Sequence, residues 1–100
     1  MSRALVERRL FDTAQRLRAA QDELAVLDEQ LAALAESAEE ARVRSLVSET
    51  PLAHRDHVEA QRHVDGLERA RRNLQASVDA LRASQDELLD RLLADDAATS

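Results

Sequence analysis

Residues 10–34 read LFDTAQRLRAAQDELAVLDEQLAAL, and residues 64–88 read VDGLERARRNLQASVDALRASQDEL. In the first stretch Leu10, Leu17, Leu24 and Leu31 recur every seventh position, with Thr13, Ala20, Leu27 and Leu34 three residues after each. In the second, Leu67, Leu74, Leu81 and Leu88 recur likewise, with Val64, Arg71, Val78 and Gln85 three residues before each. A seven-residue apolar repeat with one narrow seam is the signature of a coiled-coil helix. The seam extends back to Val6 and Arg3, on to Ala38 and Ala41, and in the second half on to Leu92.

The two stretches are mirror-related. If the chain folds back on itself, facing seam residues must have numbers that add to one constant. Leu10 with Leu88, Leu17 with Leu81, Leu24 with Leu74 and Leu31 with Leu67 all add to 98. So do Leu34 with Val64, Ala20 with Val78, Val6 with Leu92, Ala38 with Ala60 and the polar pair Thr13 with Gln85. The same register sets Arg3 against Asp95 and Arg71 against Leu27. Its midpoint is residue 49, inside Ser48-Glu49-Thr50-Pro51, the one place where a proline interrupts the chain. Proline is tolerated in the first turn of a helix but not in its interior, and Thr50 before it is a natural N-cap, with Ser48 as the alternative.

The expected fold is therefore all-α: a two-helix antiparallel coiled-coil hairpin, with pairing into a four-helix bundle as an option. Residues 1–94 form the hairpin, with helix one over 3–47, the turn over 48–50 and helix two over 51–93. Each helix is roughly 65 Å long at ~1.5 Å per residue. The small polar segment 95–100 is expected to be a disordered tail.

Composition agrees and removes several function classes. One Phe, no Trp and no Tyr rule out an ordinary aromatic-filled core. The absence of Cys excludes disulfides, zinc–thiolate sites and thiol nucleophiles. The net charge of −6 argues against general nucleic-acid binding, and no apolar run reaches the ~20 residues of a membrane span. Glu7, Arg8 and Arg9 stand where a signal peptide needs an apolar run, so the expected location is cytoplasmic. All basic side chains of the Lys/Arg class are Arg, which points to a high-GC bacterial genome.

Charge blocks orient the hairpin weakly. Residues 22–40 carry seven acids and no Arg, opposite Arg62, Arg69, Arg71 and Arg72, while the net basic segment 3–18 opposes the acidic segment 79–96. Individual flanking pairs are mixed: Arg44–Asp56 is favourable and Arg9–Arg91 repulsive. A two-helix seam is a thin core, so a second copy or another partner is expected to cover its open face.

No arrangement of Ser, His and acid suggests a nucleophile, and no glycine-rich loop suggests a phosphate cradle, so no enzyme activity, cofactor or metal is expected. His54 and His57 lie one turn apart, with His63 further on, but a metal needs a third ligand on the same face, and His57 falls in the seam. Two surfaces remain. Val43, Leu46, Val47, Leu52 and Val58 cluster at the tip outside the seam, framed by Arg42, Arg44 and Arg55, and are the expected protein-docking site. Leu5, Phe11, Leu89 and Leu93 form a smaller cluster at the open end.

The second candidate is ligand-directed. Arg71, Gln75 and Asp79 match the last three elements of Glu-x-x-x-Ser-x-x-Arg-x-x-x-Gln-x-x-x-Asp. In this the chain resembles the cyclic-di-GMP-sensing anti-sigma coiled coils of high-GC bacteria, although Val64 and Glu68 stand at the first two elements. The resemblance implies a small regulator that senses an anionic ligand through Arg69, Arg71, Arg72, Gln75 and Asp79. Length and shape are also similar to the small secreted Trp-x-Gly hairpins of actinobacteria. Their Trp-bearing turn and Tyr-bearing tail are missing, and Glu49-Thr50-Pro51 occupies the turn.

Overall fold

The computed structural model describes residues 1–99, in two helices: α1 (Arg3–Ser48) and α2 (Pro51–Thr99). They pack against each other as a helical hairpin, and no strand occurs among the described residues.

Side chains satisfy the backbone at the helix ends. At the start of α1 the Leu5 N–H donates to Ser2 Oγ at 3.2 Å and the Val6 N–H to the Ser2 carbonyl at 3.0 Å. Ser2 is thus an N-cap outside the seam pattern. At the end of α1 the Glu49 N–H donates to the Ser45 carbonyl at 3.1 Å, and Glu49 takes φ 52°, the left-handed conformation that stops a helix. Thr50 caps α2 as expected, its Oγ1 accepting from the Ala53 N–H at 3.2 Å and its carbonyl from the His54 N–H at 3.0 Å. Pro51 is the first helical residue, where its missing N–H costs nothing.

Helix α2 departs from expectation at its far end. It does not stop at residue 93 but continues to Thr99, so residues 95–99 are helical rather than a disordered tail; Ser100 lies outside the described residues. Ala94, Ala97 and Ala98 are the strongest helix formers, and Asp96 is held in an ion pair with Arg3. Arg3, expected level with Asp95, reaches to the next residue of α2 to pair with Asp96.

The chain divides into two compact units, one of residues 1–23 with residues 74 onward, the other of residues 24–73. In the first, Val6, Leu17, Val78 and Leu88 are buried, and Leu10, Thr13, Ala20, Leu74, Leu81, Gln85 and Leu92 are half-buried. In the second, Ala38, Ala41 and Val64 are buried, and Leu24, Leu27, Leu31, Leu34, His57, Ala60, Leu67 and Arg71 are half-buried. Every seam position from Val6 on is therefore sheltered in its own unit, and Arg3 alone is exposed. Only small or branched side chains are fully enclosed, Val6 and Val78 at 1% exposure each, because a two-helix seam has no third wall.

Candidate interaction surfaces

The unit of residues 24–73, the tip unit, carries the exposed Val43, Leu46, Val47 and Leu52 about the turn. Leu46 is 64% exposed, Val47 80% and Leu52 64%, with Val43 exposed one turn before Leu46 and Val47. The left-handed Glu49 and the Thr50 cap hold this cluster at a defined turn. Val58 is half-buried, in contrast to the exposed position expected of it. It lies directly after the seam residue His57, and its small branched side chain is partly covered there. Among the framing arginines, Arg42 is engaged by Glu39 of its own helix, at 2.6 Å through Nη2 and 3.0 Å through Nε. The Arg42 hydrogen bond holds the Glu39 carboxyl below its ordinary value, opposed by desolvation, with the Arg42 and His57 charges adding to the lowering. Arg44 and Arg55 are exposed.

Arg71 also lies in the tip unit, half-buried in the seam. Its Nε donates to Asp28 on α1, the one ion pair that joins the two helices within this unit among the described residues. The Asp28 hydrogen bond and charge raise the guanidinium above its ordinary value. The side chain thus packs its stem in the seam and turns its head to a carboxylate at the surface. Arg69 and Arg72 beside it are exposed without an ion pair. Gln75 and Asp79, in the other unit, hydrogen-bond to each other along α2 at 3.0 Å.

The histidines meet only in part. The His54 and His57 rings stand edge-to-face with centroids 6.4 Å apart, and His63 is exposed. His57 Nδ1 is buried without a hydrogen-bond partner. Among the described residues no three His, Cys, Asp or Glu side chains group closely enough to hold a metal ion.

In the terminal unit, Phe11 is 63% exposed and Leu93 64%, with Leu89 less so; Leu5, expected to join them, is half-buried beside Val6. The same unit holds a groove of about 390 Å³ between the helices, flanked by Arg9 and Arg16 from α1 and Arg91 from α2. Sequence reasoning registered only the Arg9–Arg91 repulsion. No helix among the described residues is long and apolar enough to cross a membrane. No family model, curated protein or solved structure matches the chain.

Proposed function

We propose that the chain is a non-enzymatic coiled-coil adaptor that docks a protein partner through the tip of its hairpin. The observation that carries this reading is the exposed set Val43, Leu46, Val47 and Leu52 around a capped turn. Apolar side chains gathered on one surface and bordered by arginines have the make-up of an interface centre and its rim. The thin seam supports a partner or a second copy, since neither unit encloses more than a few side chains. The proposal is for a protein working in the cytoplasm.

The test is a double substitution, Leu46→Ser with Val47→Ser. Both residues are exposed, so far-UV helicity should hold while capture of the partner from the host falls by about tenfold or more, as loss of central apolar anchors does. Retained capture, with loss on replacing Phe11 and Leu89 instead, would move the site to the terminal end.

The runner-up is a regulator sensing an anionic ligand through Arg69, Arg71, Arg72, Gln75 and Asp79. The exposed, unpaired Arg69 and Arg72 favour it; the engagement of Arg71 by Asp28 weighs against it. A thermal-stability scan with cyclic dinucleotides and phosphorylated metabolites separates the two readings. A shift of several degrees that Arg71→Ala abolishes would favour the regulator.

A further inference from the structure

The terminal unit assembles a set of hydrogen-bond donors that the hairpin itself leaves unused. Arg9 and Arg16 lie two turns apart on one face of α1, about 10 Å along the axis at ~1.5 Å per residue. Thr13 lies between them on the same groove wall, and Arg91 and Ser84 line the facing wall on α2. Arg9 and Arg16 have no ion pair among the described residues, although Asp12 lies one turn from each on the same helix. The Thr13 and Ser84 hydroxyls likewise have no hydrogen-bond partner among the described residues. Arg91 bonds Glu87 of its own helix through Nη2 at 2.9 Å. That single contact leaves other guanidinium N–H groups available.

The arrangement runs against the charge of the molecule. The chain as a whole is at −6, yet three arginines and two acids, Asp12 and Glu87, line this groove. Glu87 of α2 is taken up by Arg91 of its own helix, and Asp12 of α1 pairs with neither Arg9 nor Arg16, so among the described residues no ion pair crosses the groove to offset the repulsion between Arg9 and Arg91. An anion in the groove would convert that repulsion into bidentate pairing, for which guanidinium forks are suited. The donors are spread along about two turns of helix, an extent that a linear chain of phosphoryl groups engages more fully than a single phosphate does. We propose that the groove between Arg9, Arg16 and Arg91 is a binding site for a linear polyphosphate group, with Thr13 and Ser84 donating to its bridging span. This site is separate from the tip and does not depend on the adaptor reading.

The test is calorimetric titration of the full chain with inorganic tripolyphosphate at 150 mM-class salt, near the physiological ionic strength at which exposed charges are largely screened. One saturable equivalent per chain is expected, with orthophosphate binding far more weakly because it reaches only one end of the track. Arg9→Gln with Arg16→Gln should weaken tripolyphosphate about tenfold or more, with unchanged far-UV helicity because neither side chain has a partner to lose. Arg62→Gln with Arg82→Gln, which removes the same charge at exposed positions outside both candidate sites, should leave binding intact. Absence of saturable binding, or equal weakening by the two double variants, would overturn the proposal by showing general charge attraction in place of a site.

Discussion

Glu49 is the residue on which the hairpin turns, and it does so against its own preference. A left-handed φ of 52° places Cβ close to its carbonyl, a conformation that glycine adopts freely and other residues adopt at a cost of roughly 1–2 kcal/mol. Glu49 is exposed, so its side chain has no packing to forfeit. Glu49→Gly should therefore stabilise the chain by about 0.5–1 kcal/mol, the relief being partly offset by a more flexible unfolded chain. Thermal unfolding measures this directly. An unchanged or lowered midpoint would mean that the turn is not strained there. His57 shows the opposite economy: a polar ring occupies a seam position, with one nitrogen buried and unmatched.

At the scale of the element, each helix is set by a seam and a cap, and Arg71 is the interruption in the seam of α2. An arginine among leucines lowers stability while narrowing the registers the pair can adopt. Its bond to Asp28 is at the surface, with both side chains more than a third exposed, so little is lost when that bond is removed. Arg71→Leu should raise the unfolding midpoint, because apolar area then replaces a half-buried guanidinium stem. A lowered midpoint would show that the Asp28 pair contributes more than its exposure allows. How far the helices could be read in advance also differs by end. The Thr50–Pro51 start was legible, because cap and proline chemistry are local. The continuation of α2 to Thr99 was not, since it follows from alanine-rich composition together with Arg3–Asp96, a contact between residues at opposite ends of the chain. The Ser2 cap was equally local, and attention to Ser2 three residues before Leu5 would have found it.

For the molecule as a whole, the seam was legible because burial on one helix face imposes a period that composition alone does not. The repeat predicted shelter at Val6, Leu17, Ala38, Ala41, Val64, Val78 and Leu88, and these are the buried apolar residues. The surfaces were less legible, because a heptad repeat says which residues face the partner helix and little about how the remainder are shared out. Val58 and Leu5 are half-buried for that reason, and the arginine groove looked from the sequence like simple repulsion. The central claim is the folded-back register, in which position 10 faces position 88. The chain has no native cysteine, so Leu10→Cys with Leu88→Cys introduces a single possible intrachain bridge. A disulfide needs Cα atoms within about 7 Å, which facing seam positions satisfy and positions two turns out of register do not. Under mild oxidation the 10/88 pair should close within one chain, giving a faster-migrating monomer on a non-reducing gel, whereas a 10/81 control should remain open. Intermolecular bridging alone, no bridging at all, or equal closure of the 10/81 control would contradict the register.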